Sequence, residues 1–336
     1  MLAKKISITF ISFFCNFAYS SPIDSLADFN AGKFEYKSYT PKSNLAYLRE
    51  PLSSHREVII PADLSFPKNI KGKVPAIILL HGSDGLSPGM YKFWQYELNN
   101  AGYATLLIDM FTPRGITETN SDQGAFSPSA QIVDAYIGLK LLATHPRIDA
   151  NRISLSGRSR GGEVTFDAYW DAMKKPALSE SIRFASFIPV YPGPICATRR
   201  RYDIGNQNSA PMLVITGDED VGFGDPSNCL LYFEDLNKNS NANIKLIHYK
   251  GGYHGFDGYS KYHVLPVEVF GKCRLEIDML NPKNGRDFQT GETFSGIEEF
   301  YKRRTQCAEV GRKEGGNDVL RNQLKTDVVD FLNSVR

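Results

Sequence analysis

Apolar runs of strand length recur along this chain, and most are continuously apolar. They are REVIIP from Arg56, VPAIILLHG from Val74, YATLLIDM from Tyr103, RISLSG from Arg152, FASFIPVYPG from Phe184, APMLVITGD from Ala210 and NIKLIHYKG from Asn243. Strands buried on both faces read this way, as in a parallel sheet covered by helices. Between them lie segments of helical period: MYKFWQYELNNAG from Met90, SAQIVDAYIGLKLLATH from Ser129 and SNCLLYFEDLNKNS from Ser227. In the second, Ile132, Tyr136 and Leu139 recur at three- and four-residue steps that keep one face apolar. Strand and helix in alternation predict an α/β fold with a mostly parallel, doubly wound sheet and helices on both faces.

The two ends depart from this pattern. Residues 21–55 read as a polar, loop-like lead-in to a core over 56–258. After Gly258, NPKNGRDFQTGETFSG is rich in turn formers, and only NDVLRNQLKTDVVDFLNSV is clearly amphipathic. Residues 259–336 are therefore expected to form an excursion stapled by a disulfide, or a partial lid, closed by a terminal helix that packs back on the sheet. Asn317 or Asp318 is the candidate cap of that helix. Residues 1–20, MLAKKISITFISFFCNFAYS, have a cationic start at Lys4 and Lys5, an apolar run from Ile6 to Phe17, and Ala18 and Ser20 around a cleavage point. That is the pattern of a secretory signal peptide. The apolar run is shorter than the roughly 20 residues of a bilayer span and is interrupted by Asn16. Cys15, after Phe14, is poorly set for lipid attachment, and no other segment has the character of a span.

Composition narrows the picture. The 336 residues are 42% hydrophobic, enough for a large core. Removing residues 1–20 takes away two of 39 Lys and Arg and none of 37 Asp and Glu, leaving a formal charge of zero. Nucleic acid is therefore not an expected partner. The runs Arg199 to Arg201 and Lys302 to Arg304 are candidate anion sites, with a solvated, ion-paired face as the plainer reading. Cys196, Cys229, Cys273 and Cys307 form an even set, which in an exported chain suggests disulfides. Of the three possible pairings, the local one of Cys196 with Cys229 and Cys273 with Cys307 closes loops of moderate length. No pair has the short spacing of a zinc knuckle.

The candidate chemistry lies in RISLSGRSRGGEV. Its apolar run ends at Gly157 and helix-compatible residues begin near Gly162, so Ser159 falls where a strand turns into a helix. That is the setting of a G-x-S-x-G nucleophile elbow, which lifts a hydroxyl above the sheet; Gly157 and Gly161 omit the side chains that would obstruct the turn. In chain order a carboxylate and then a histidine should follow. LVITGDEDVGFGDP offers Asp220, preferred over Asp218, which suits the turn itself, and over Asp225, which suits a helix cap. YKGGYHGFDG offers His254, in a loop just beyond a strand. His263 is the runner-up; His248 lies within a strand, and His55 and His145 precede the elbow. The oxyanion of an attacked carbonyl needs fixed donors, for which the backbone N–H groups of Arg160 and Ser83 are the candidates. His81 and Gly82 are expected to shape the loop that carries Ser83.

Taken together, LLHGSDG, IDMFTPRG, GRSRGG, GDED and YHGFDG resemble the dienelactone hydrolase branch of the α/β-hydrolase superfamily over roughly residues 56–258. The resemblance implies a Ser or Cys nucleophile with an Asp and a His on an eight-strand-type sheet. It also implies hydrolysis of esters or lactones without metal or organic cofactor. Two features depart from the branch's best-known members: Ser159 stands where they use cysteine, and about eighty residues follow His254 in a chain that opens with a signal peptide. The FTPRG loop resembles a family loop whose arginine binds a substrate carboxylate, which implies that role for Arg114. Arg158 and Arg160 are expected to pair with acidic groups around the elbow. The expected protein is thus a secreted or periplasmic serine hydrolase acting on a small-molecule ester or lactone through an acyl-enzyme on Ser159. A peptidase or acyltransferase of the same fold, and a non-catalytic binding protein that retains the fold, are the alternatives.

Overall fold

The computed structural model describes residues 21–202, 209–239 and 241–335; the expected signal peptide and Cys15 lie outside them. In chain order the strands of the main sheet and its neighbours are β1 (Gly32–Thr40), β2 (Arg56–Ser65), β3 (Val74–Leu80), β4 (Ala104–Ile108), β5 (Ile148–Arg158), β6 (Phe187–Val190), β7 (Thr198–Arg201), β8 (Pro211–Gly217) and β9 (Asn243–Tyr249). Eight of these form one sheet in the order β1-β2-β4-β3-β5-β6-β8-β9. Every pairing from β4 to β9 is parallel, whereas β1 with β2 and β2 with β4 are antiparallel.

The helices are α1 (Asn44–Arg49), α2 (Pro88–Asn100), α3 (Pro128–Thr144), α4 (Arg160–Asp167), α5 (Asp171–Lys174), α6 (Pro226–Asn239), α7 (Ile297–Gln306) and α8 (Asp318–Ser334). Two apolar clusters lie on the two faces of the sheet. Along β3, Ile78 and Leu80 belong to one, and Ile77 and Leu79 to the other. Residues 76–80 are accordingly all buried, which is why this strand reads as an unbroken apolar run. The chain moves from β3 outward to β4 and returns to place β5 on the other side of β3. The carboxyl ends of β3 and β5 therefore flank a switch point, where the loops after them part and leave a crevice.

The segment before Arg56, expected as loop-like, carries β1. Its buried positions alternate, with Phe34, Tyr36 and Ser38 inward, as befits a half-covered antiparallel edge. The turn-rich stretch after Gly258 is also ordered. It contains β10 (His263–Val269), β11 (Leu275–Asp278), β12 (Gly285–Asp287), β13 (Thr293–Phe294) and β14 (Glu309–Glu314). β10 pairs with β14, while β11 runs parallel to β7 and joins it with β12 and β13 in a four-stranded sheet. Helix α8 buries Leu320, Leu324, Val328 and Leu332 in the cluster that also contains Tyr91, Trp94 and Leu98 of α2. Its cap is Asn317, whose side-chain oxygen accepts from the N–H groups of Val319 and Leu320.

The cysteines are bonded as Cys196 with Cys229 and Cys273 with Cys307, with Cα atoms 5.1 and 5.2 Å apart. The first ties the segment before β7 to α6, and the second ties the segment before β11 to the end of α7. With separations of 33 and 34 residues, each bridge should contribute about 4 kcal/mol through loop entropy. A thermal melt with and without reductant should therefore show a marked loss of stability on reduction. The initial rate should change less, because none of the four cysteines lines the cleft around Ser159; an unchanged melt would remove this role. No helix among the described residues is long and apolar enough to cross a membrane.

Candidate active site

β5 ends at Arg158, and α4 begins at Arg160, so a single residue, Ser159, makes the turn. Its φ of 54° and ψ of −121° are strained for a residue with a side chain. The N–H of Ser159 donates to Val190 O at 3.0 Å, and its carbonyl accepts from Glu163 N at 3.0 Å, which fixes the bend from both sides. The flanking glycines answer a different need. A Cβ on Gly157 would lie 2.1 Å from Gly161 O, and one on Gly161 would lie 2.6 Å from Leu80 O and 2.7 Å from His81 O. Neither approach is possible for a real side chain, so both positions are glycine for space, while the serine carries the strain.

His254 sits in the loop after β9, with Nε2 2.8 Å from Ser159 Oγ and Nδ1 2.9 Å from Asp220 Oδ2. Asp220 follows β8 and is buried; its other oxygen accepts from Gly222 N at 3.0 Å and Phe223 N at 3.4 Å. An ionised carboxylate only accepts, so Nδ1 carries the proton and Nε2 is left to accept from the serine hydroxyl. The three residues are 159, 220 and 254 in sequence and hydrogen-bonded in space. The other candidates are engaged elsewhere: Asp218 accepts from Gly251 N, Asp225 from Ser227 N, and His263 lies on β10 beside Glu314.

The loop after β3 presses against Ser159. A Cβ on Gly82 would lie 3.1 Å from Ser159 Cβ and 3.7 Å from its Oγ. Ser83 follows, buried, with its side chain bonded to Gln123. His81 holds this loop: Nε2 accepts from Met110 N at 3.1 Å, so Nδ1 is the protonated nitrogen that donates to Gly82 O at 2.9 Å. Burial pulls its pKa down to about 4 and keeps the ring neutral. Arg160 is the first residue of α4, where a backbone N–H has no partner within the helix. Ser83 and Arg160 line the same cleft as Ser159.

A buried ionic layer supports the turn from below. The Arg158 guanidinium donates to Asp257 Oδ2 at 2.7 Å and stacks on Trp94, whose indole N–H donates to the same oxygen at 2.7 Å. Tyr191 OH donates to Asp257 Oδ1 at 2.5 Å, and its ring lies 5.0 Å from that of His254. This couples the residue before Ser159 to the loop that carries His254. Asp257 stands in the quoted motif YHGFDG, but only the fold discloses its partner. The C-terminal segment braces the same loop: His254 N donates to Lys313 O, Asn317 N to Phe256 O, and Arg321 to the carbonyls of Asp257 and Gly258.

The arginines divide differently from the expectation. Arg158 pairs with Asp257, as expected. Arg160 meets no carboxylate among the described residues and donates to Gln131 Oε1, the Gln123 carbonyl and side-chain oxygens, and Phe126 O. Arg114, expected at the substrate, is turned away from it. Its side chain is fully buried in a two-pronged pair with Asp134 of α3, at 2.7 and 2.9 Å, and also donates to Met110 O, Thr40 Oγ1 and Tyr39 O. A guanidinium with all these acceptors has no free fork for a ligand, so the expectation for Arg114 is corrected: it ties β1 and α3 to the loop after β4.

A narrow cleft of about 60 Å³ contains Ser159, His254, Ser83 and Arg160. It adjoins an antechamber of about 540 Å³ and shares with it Gln123, Arg160, Glu163, Glu268, Phe270 and Arg304. Glu268 and Arg304 come from β10 and α7, outside the core. Among the described residues no group of three or more His, Cys, Asp or Glu is placed to hold a metal ion.

The family model of the dienelactone hydrolase family matches residues 60–263. Two curated Escherichia coli proteins, each described as an uncharacterized 31.7 kDa protein in the traX-finO intergenic region, are 29% identical over 113 residues. That is 34% of this chain and only 38% of each relative's length. Among solved structures, a putative dienelactone hydrolase from Klebsiella pneumoniae subsp. pneumoniae is similar at 15% identity and a TM-score of 0.46, over 67% of this chain and 88% of that one. A thermophilic esterase from Thermogutta terrifontis, in its propionate-bound form, is similar at 15% identity and a TM-score of 0.47, over 60% and 82% respectively.

Proposed function

The chain belongs to the dienelactone hydrolase family of α/β-hydrolases, and on that premise we propose that it is an exported serine hydrolase that cleaves carboxylic esters or lactones through an acyl-enzyme on Ser159. The observation that carries the reading is the pair of contacts at His254, 2.8 Å to Ser159 Oγ and 2.9 Å to Asp220 Oδ2. In the first step Ser159 Oγ attacks the acyl carbon while His254 Nε2 takes its proton, and Asp220 stabilises the imidazolium. The negative charge that develops on the carbonyl oxygen is received by the backbone N–H groups of Ser83 and Arg160. His254 then gives its proton to the departing alkoxide, and the C–O bond breaks. A water molecule, deprotonated by the same nitrogen, attacks the acyl-enzyme and releases the acid, restoring the hydroxyl of Ser159. In a lactone the alcohol remains part of the product.

Serine in place of cysteine favours ordinary esters. Export is supported by the two disulfides, which persist in oxidising compartments, and by the character of residues 1–20; a periplasmic or secreted destination fits both. Labelling by a fluorophosphonate probe, followed by peptide mapping, tests the nucleophile. The modified residue should be Ser159, and the labelled protein should lose turnover of aryl acetates. Modification elsewhere, or no modification with a correctly folded protein, would remove the acyl-enzyme. Comparing matched ester, thioester and amide substrates separates an esterase from a peptidase.

A further inference from the structure

Of the two basic runs, five side chains are ion-paired. Arg200 meets Glu163 and Asp167; Arg199 and Arg201 meet Glu276; Lys302 meets Glu299; and Arg303 meets Glu299, Glu292 and Asp287. Arg304 is the exception. Its side chain makes no hydrogen bond or ion pair with any described residue, and its Nε is buried without a partner. Its guanidinium carbon lies over Phe270, 3.8 Å from the ring centroid, and the residue borders both the narrow cleft and the antechamber. Glu163 and Glu268 act on it through space, but neither carboxylate reaches ion-pair distance, and Glu163 is already bonded to Arg200.

Arg304 as a whole is half-buried, but a buried polar atom without a partner calls for a reason. Two further orphaned atoms, Arg200 Nε and Asn44 Oδ1, belong to residues that line the same antechamber. Arg160, on the border of cleft and antechamber, is bonded among the described residues only to neutral oxygens, so its charge also has no direct counter-ion there. Arg304 is placed by the C-terminal segment, beyond the residues matched by the family, and its helix ends beside the bridge between Cys273 and Cys307.

We propose that Arg304 is a specificity-determining residue that binds a carboxylate on the larger part of the substrate, seated in the antechamber, while the scissile ester lies in the narrow cleft. The substrate class is then an acidic ester with one small side and one bulky, polar, carboxylate-bearing side. This rests on the ester-hydrolase reading. The cleft has little room beyond the reacting group, and the antechamber is lined by the polar residues Asn44, Asn120, Gln123 and Ser127. The planar fork of arginine suits a carboxylate held by two parallel hydrogen bonds.

The test compares kcat/KM for 4-carboxyphenyl acetate with that for its neutral isostere, 4-carbamoylphenyl acetate, in the full chain. The ratio of the two should fall about tenfold or more in Arg304→Gln, mainly through KM of the acidic ester, and be partly kept in Arg304→Lys. A ratio in Arg304→Gln within about twofold of wild type would overturn the proposal. If neither ester is turned over and Ser159 is not labelled, it is the ester-hydrolase reading that fails. The anion site is then read by titrating 4-hydroxybenzoate, with 4-hydroxybenzamide as control, into Ser159→Ala and Ser159→Ala/Arg304→Gln, observed by NMR. Weaker binding of the acid alone in the double variant supports the site, and equal binding overturns it.

Discussion

Ser159→Ala should lower kcat for a good aryl ester by roughly 10⁴–10⁶-fold while leaving KM and the melting temperature close to wild type. The size follows from what is lost: the residual reaction retains the oxyanion donors and the bound geometry but has no covalent route. The fold should tolerate the change, because the Ser159 hydroxyl bonds only to His254 Nε2 among the described residues, and the strained backbone is held by Val190 O and Glu163 N. Steady-state kinetics on a preparation checked for trace contamination provides the measurement. A variant that keeps a tenth of the activity would mean that another group attacks the carbonyl.

Asp220→Asn is expected to cost about 10³–10⁴-fold in kcat, because an amide N–H facing Nδ1 would select the tautomer that carries its proton on Nε2. That nitrogen then cannot accept from Ser159. The substitution keeps the shape and leaves an oxygen for Gly222 N and Phe223 N, so a melt should separate chemistry from folding. Asp218→Asn is the control. The Asp218 side chain is exposed and, among the described residues, accepts only from Gly251 N, so the substitution should lower kcat by less than about tenfold. If Asp218→Asn proved the more damaging of the two, the orienting acid would be misassigned.

Much of this arrangement is written in local patterns. Doubly covered strands announce themselves as unbroken apolar runs, and the elbow as a serine between glycines at a strand-to-helix change. Asp220 is preferred over Asp218 and Asp225 on local turn chemistry; in space Asp220 meets His254, while Asp218 and Asp225 accept from the backbone N–H groups of Gly251 and Ser227. What local pattern missed was long-range partnering. β1 alternates weakly and becomes a strand only because β2 offers it an edge. Asp257 reads as one more loop aspartate until Arg158, Trp94 and Tyr191 are brought around it.

The arginines show where the boundary falls. Arg114 occupies a loop that resembles a ligand-binding loop, yet Asp134, twenty positions away on α3, neutralises it. Arg304 closes a basic run whose other members are all paired, and nothing in the run distinguishes it. The sequence by itself determined the sheet and the glycine-flanked bend at Ser159, because each depends on side-chain size and hydrogen-bonding chemistry within a few neighbours. Only the tertiary structure decided which charges are cancelled and which face the cleft, because the worth of a charge depends on its distance to an opposite one and on the water removed around both.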